Sequence, residues 1–151
     1  MSGSLTFLMG KFEAEFPTDR LYAKNHMWGQ QRDSVVRFGF TAYAVRLLQD
    51  VYFLDWSLAA PAELAERQEI GSIESKKAES SLYSPVAGKL VRFNEELLSD
   101  PSAINLDKYG GGWLFEIESA GDTLLDPSGY IQHLEGVWEI AQRTIKGQMN
   151  E

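Results

Sequence analysis

The sequence predicts a mainly β fold with short peripheral helices and a C-terminal helix. Three observations carry that expectation. Short runs rich in β-branched and aromatic residues, Val35–Phe40 and 51–54, fill the middle of the chain. Residues 68–73 and 79–84 are strand-like, with Ile70, Ile73, Leu82 and Tyr83 set among small or polar neighbours, and they flank a polar turn. Residues 89–93 then alternate polar and apolar with the period of two that marks a half-buried strand.

Taken in order, residues 1–19 read as an N-terminal extension, 20–126 as the β domain and 127–151 as a helix packed on that same domain. Thr41 is placed to cap a short helix between the first two strands, with Ala44, Leu47 and Leu48 on one face. Residues 59–67 are rich in Ala and Glu and by propensity alone would be helical. The hairpin tip is Ser75-Lys76-Lys77-Ala78, where a small hydroxyl residue at the first turn position bonds local backbone. A further turn is marked by Pro85 and Gly88. Asn94 is a candidate cap for a second short helix ending before Pro101, and Gly110-Gly111-Gly112 reads as a flexible approach to a closing strand over 113–117. Asp126 and Pro127 start the last helix, where Leu134, Val137, Trp138, Ala141 and Ile145 form an apolar stripe. Residues 1–3 and 147–151 are expected to be loose.

Composition narrows the function classes. With 151 residues and 44% hydrophobic content, the chain supports one compact domain and leaves little room for a second. The absence of cysteine removes disulfides, thiolate metal sites and cysteine nucleophiles, so redox chemistry would need an attached cofactor. Only His26 and His133 are present, far apart and without ligand spacing; His26 is expected to be packed and hydrogen-bonded, His133 exposed on the last helix. The triple glycine lacks the lysine and hydroxyl of a phosphate loop, and Asp107, Glu116 and Glu118 form no recognisable catalytic pair. A net charge of −8, with scattered bases, argues against nucleic acid as a partner. No apolar run approaches the length that spans a bilayer, and residues 5–9 are too short for a secretory core, so a cytoplasmic location is expected, or the mitochondrial matrix for a mature eukaryotic form.

A lysine at a hairpin tip is ordinarily a solubility device. The local string is more specific. Glu74, Ser75, Lys77 and Ala78, followed by Tyr83, Ser84, Pro85, Val86 and Gly88, resemble the lipoyl-lysine hairpin of the glycine cleavage system H protein family. Tyr22, His26 and Trp28 keep the spacing of that family's Tyr-x-x-x-His-Glu-Trp. The stretches 39–44, 50–54, 94–97, 100–101, 104–105 and 109–114 follow in its order, so the resemblance covers residues 20 to 138.

The resemblance implies a lipoyl/biotinyl-type flattened β-barrel or sandwich built on a hybrid-motif hairpin, in which 59–67 is a turn and loop. It implies a non-catalytic carrier in glycine catabolism, with lipoate amide-linked to Lys77 and with Glu74, Ser75 and Ala78 as hairpin recognition residues. Lys76 takes the family's variable position. The implied partners are a glycine decarboxylase that loads an aminomethyl group, a tetrahydrofolate-dependent aminomethyltransferase that removes it, a dihydrolipoamide dehydrogenase that reoxidises the dithiol, and a lipoate ligase or lipoyltransferase. The alternatives are an H-like lipoyl carrier serving another oxidoreductase assembly or a lipoate relay, and an unmodified interaction module. Biotin carriage is disfavoured, because that family flanks its lysine with methionines.

Some family positions differ. His-Glu-Trp is His26-Met27-Trp28 here, Thr-Asp is Thr41-Ala42, a frequent acid is Gly111, and Ala-x-Ser-Asp is Ala78-Glu79-Ser80-Ser81. In the family, some of these acids help form the cleft that receives the charged aminomethyl arm. A methionine cannot accept an ammonium hydrogen bond as glutamate can.

Overall fold

The computed structural model describes the backbone of residues 3–149 and the side chains of residues 3–140. The elements run β1 (Ser4–Met9), β2 (Phe12–Pro17), β3 (Leu21–Tyr22), β4 (Met27–Arg32), β5 (Val35–Phe40), α1 (Ala42–Leu48), β6 (Val51–Trp56), β7 (Ala62–Leu64), β8 (Glu69–Ser75), β9 (Glu79–Tyr83), β10 (Gly88–Phe93), α2 (Glu96–Ser99), α3 (Ala103–Leu106), β11 (Phe115–Glu118) and α4 (Pro127–Met149). A six-stranded antiparallel sheet has the order β3-β4-β5-β11-β10-β7, and a three-stranded sheet the order β6-β8-β9. Their inner faces share one aliphatic core: Val36, Phe38, Leu90 and Ile117 from the larger sheet meet Leu54, Ile70, Ile73 and Leu82 from the smaller. The result is the expected flattened sandwich, without a closed barrel.

β1 and β2 form a separate hairpin turned at Gly10, whose φ is +66°. Its strands alternate, with Glu13 and Glu15 outward and Ala14 and Phe16 buried. A second, aromatic cluster joins this hairpin to α4: Phe16 meets Tyr130 edge-on at 5.2 Å, and Tyr130 stacks on Tyr22 at 4.8 Å. The last helix thus packs on β1 to β3 through Tyr130 and Leu134, with Val137 and Trp138 partly buried. The side chains of Ala141 and Ile145 lie outside the described residues.

Several local expectations need correction. Ala44, Leu47 and Leu48 of α1 share one face, as expected, but they line a cavity, with Leu47 50% exposed, and the fully buried residues are Ala42, Tyr43 and Val45; the Thr41 cap is present, its hydroxyl accepting from the Ala44 N–H. The 59–67 stretch is turn and loop, as the resemblance implies, except for β7, which pairs with the start of β10. Asn94 does not cap α2 with its side chain; its amide donates instead to the Gly111 and Trp113 carbonyls at 3.0 and 2.8 Å. The glycine segment is a bonded turn around Asp107, whose carboxylate accepts from the Gly111 N–H at 2.7 Å and whose carbonyl accepts from Gly110 and Gly112. β11 begins at Phe115, and Trp113 lies under the Arg37 guanidinium at 4.2 Å. Gly3 is held rather than loose, its N–H bonded to Thr18 Oγ1, and α4 continues to Met149; Met1, Ser2, Asn150 and Glu151 lie outside the described residues.

Candidate functional site

The hairpin β8–β9 is set by its inward residues. Ile70, Ile73 and Leu82 are each at most 5% exposed, which fixes the register and leaves the polar residues facing out. Gly71 is needed where β6 crosses: a Cβ there would stand 2.4 Å from the Asp55 carbonyl and 2.8 Å from Trp56. Trp56 can therefore fold over β8 and stack on Phe93 at 4.5 Å.

At the tip the backbone is satisfied locally. The Ser75 N–H donates to the Ala78 carbonyl at 2.8 Å, and the Ala78 N–H donates to Ser75 Oγ at 3.1 Å. The hydroxyl donates back to the Ala78 carbonyl at 3.2 Å. Ser75 is 5% exposed, so this bonding is sheltered from water. The Lys76 backbone N–H donates to the Asp50 carbonyl at 2.8 Å, and its side chain is exposed. Lys77 is exposed, and among the described residues neither tip ammonium has an ion pair or hydrogen bond. Glu74 and Glu79 face each other one pair below the turn. The four expected site residues are therefore brought together, Ser75 and Ala78 as the closure of the turn, Glu74 beneath it and Lys77 at its crest.

Two contributions were not foreseen. Asn105 clamps the strand beside the tip: its side chain accepts from the Val51 N–H at 2.9 Å and donates to the Gln49 carbonyl at 2.7 Å. That clamp fixes Asp50, and hence the Lys76 backbone. The other is a bulge between Val51 and Phe53, which sets Tyr52 and Phe53 outward in succession. The unbroken 51–54 apolar run concealed it.

A cavity of about 190 Å³ lies along the hairpin, starting at Ser80, and is walled by Met27, Phe40, Leu48, Ile73 and Leu82. Met27 is 2% exposed, and among the described residues no carboxylate lines the space. A wider cavity of about 640 Å³ adjoins it, with Asn25 and Tyr83 lining both, and carries Lys24, Glu66 and Arg67.

His26 also lines the smaller cavity, and the His133 ring lies 5.8 Å from the His26 ring. His26 is packed and hydrogen-bonded, its Nδ1 2.9 Å from the Tyr130 hydroxyl, which is also 2.9 Å from Thr41 Oγ1. Burial, and secondarily His133, hold its pKa down at about 4. His133 is half-buried, contrary to expectation, with Nε2 3.1 Å from the Lys24 carbonyl. Glu116, 2% exposed, lies between Arg37 and Arg92 at 2.9 and 2.7 Å, a structural ion-pair group on the sheet.

Comparison with known proteins agrees with this geometry. A family model described as "Glycine cleavage H-protein" matches residues 20–134. The probable glycine cleavage system H protein of Natronomonas pharaonis is 42% identical over 109 residues, 72% of this chain and 85% of that one. The glycine cleavage system H protein of Myxococcus xanthus is 37% identical over 123 residues, 79% and 95% of the two chains. A crystal structure of the glycine cleavage system H protein from Mycobacterium marinum superposes with a TM-score of 0.68 at 32% identity, covering 76% of this chain and 95% of that one. With most of its length matched in sequence and in fold, the chain belongs to the glycine cleavage H-protein family.

Proposed function

We propose that this chain is the lipoyl carrier of a glycine cleavage system, with lipoate joined through an amide to the Lys77 Nζ. The carrying observation is the tip itself, a turn whose backbone is bonded through Ser75 and Ala78 and whose crest carries an exposed lysine with no ion pair among the described residues. An acyl group on Nζ removes one charge and disturbs no bond that holds the turn. When bound, lipoate supplies a dithiolane able to take up electrons and a transferable group, and the chain supplies position.

Ser75 closes the turn, β8 and β9 hold its direction, and both Lys76 and Lys77 are exposed there; the choice of Lys77 rests on the family motif, in which one variable residue separates the serine from the modified lysine. The apolar cavity starting at Ser80 offers shelter for hydrocarbon along the hairpin. The partners in this reading are the glycine decarboxylase, the aminomethyltransferase, the dihydrolipoamide dehydrogenase and the ligase or lipoyltransferase that attaches the cofactor. Tethering keeps the arm at high effective concentration in each docked site.

The test is intact-mass and peptide analysis after incubation with lipoate, ATP and a lipoate ligase. Wild type and Lys76→Arg are expected to gain one lipoyl group, and Lys77→Arg none. Lipoate mapped to Lys76 would overturn the assignment. Glycine–bicarbonate exchange with the loaded chain and a glycine decarboxylase tests the pathway, and exchange at background level would sink it.

A further inference from the structure

The β6 bulge points to an interaction surface. In an unbroken strand, successive side chains alternate, so one of Tyr52 and Phe53 would face the core. Here Val51 pairs with Ser75 and Phe53 with Glu74, leaving Tyr52 as the extra residue. Val51 and Leu54 point inward while Tyr52 and Phe53 stand out, 63% and 47% exposed. Two adjacent exposed aromatics give the fold no packing benefit, whereas rigid aromatic side chains of this kind are the usual anchors of protein interfaces.

Their position adds a partner chemistry. β6 is one of the two edge strands of its sheet, and the register puts Phe53, Glu74 and Glu79 in one cross-strand row directly below the tip. Asp55, two residues on from Phe53, faces the same way, so the carboxylates of this face surround the aromatic pair. Asn105 brings another exposed apolar side chain, that of its neighbour Leu106, to the same end of β6. The complementary surface is an apolar pocket rimmed by Lys or Arg.

We propose that Tyr52 and Phe53, with Glu74 and Glu79, form the docking surface for the enzyme that acylates Lys77, an inference that rests on the lipoyl-lysine reading above. The tip offers two adjacent lysines, and an enzyme that must choose between them needs a fixed landmark away from the turn. Phe53 is such a landmark: its cross-strand partner Glu74 precedes Ser75, the residue that opens the turn.

Steady-state lipoate attachment to wild type, Tyr52→Ser/Phe53→Ser and Glu74→Gln/Glu79→Gln tests this, with circular dichroism establishing that each variant is folded. For the aromatic double variant, KM for the carrier is expected to rise about tenfold at nearly constant kcat, with a share of lipoate appearing on Lys76. The acid variant is expected to raise KM and to flatten its dependence on salt. Unchanged KM in both variants, with wild type modified on Lys77, overturns the docking surface and leaves the lipoyl-lysine reading standing. Wild type that takes up no lipoate overturns both. A concentration-dependent dimer that the aromatic variant abolishes, with attachment kinetics untouched, would assign the patch to self-association and also overturn the proposal.

Discussion

Acidification should destabilise this protein well before its carboxylates titrate, because His26 is held neutral. Its backbone is fixed at φ +69°, with its N–H bonding the Ala23 carbonyl and its carbonyl accepting from the Thr41 N–H at 3.1 Å, and its ring is held by the Tyr130 hydroxyl at 2.9 Å from Nδ1. The groups around it are Tyr130 at Nδ1, the Tyr43 ring at 4.6 Å and the His133 ring at 5.8 Å, and none of these compensates an imidazolium. Burial, with His133 second, lowers the pKa from the ordinary 6.5 to about 4. The unfolded chain takes up the proton near the ordinary value, so it binds more protons than the native state between these limits. Stability is therefore complete above about pH 6.5 and is lost as pH falls toward 4. Between pH 7 and pH 5 this separation corresponds to roughly 2 kcal/mol, and the partial exposure of the ring brings the expected loss nearer to about 1 kcal/mol. Urea unfolding at half-unit pH steps measures it. His26→Asn, which removes the titration and tolerates the left-handed backbone, is expected to flatten the profile over this interval. Equal slopes in wild type and variant, or an NMR midpoint for His26 at or above 6.5, would refute the account.

Two further substitutions probe what positions the site. In Gly39→Ala the new Cβ would stand 2.6 Å from the Trp28 ring, which is 1% exposed and anchored through Nε1 to the Lys108 carbonyl; a loss of about 2–3 kcal/mol is expected from overpacking, read as a lower urea midpoint at unchanged m. Asn94→Ala leaves the Gly111 and Trp113 carbonyls without their buried donor and should cost about 2 kcal/mol, with Asn94→Asp giving no rescue because a carboxylate cannot donate.

What was legible in the sequence was what is decided locally. Ser75 announced its turn, Thr41 its helix and Val35–Phe40 its strand, because turn chemistry, capping and β-branching act within a few residues. The errors arose where a distant partner decides. Asn94 has the chemistry of a cap, but its amide is drawn to carbonyls 17 and 19 residues away. His133 sits on an amphipathic helix at a position that looks solvated, yet the Lys24 carbonyl reaches it from 109 residues away. Residues 59–67 are non-helical, as the resemblance implies against their own propensity, and only the short strand Ala62–Leu64, decided by its pairing with β10, was not legible. Residues 1–19 are an extension whose hairpin the sequence does carry, since 12–16 alternates and Gly10 marks the turn. Lys77 stands where the motif puts it, and Tyr52 was hidden because a bulge leaves no mark in an apolar run.

The aromatic seam between the first hairpin and the last helix works as a strut. Tyr130 touches Phe16 on one side and, through its hydroxyl, Thr41 on the other; Thr41 begins α1, whose Ala44, Leu47 and Leu48 wall the cavity along β8 and β9. A protease nick at Gly10, or a bulky fusion that pries α4 from its seat, would thus be transmitted along that brace to the pocket along those strands, so integrity at the periphery and geometry at the hairpin are one mechanical property.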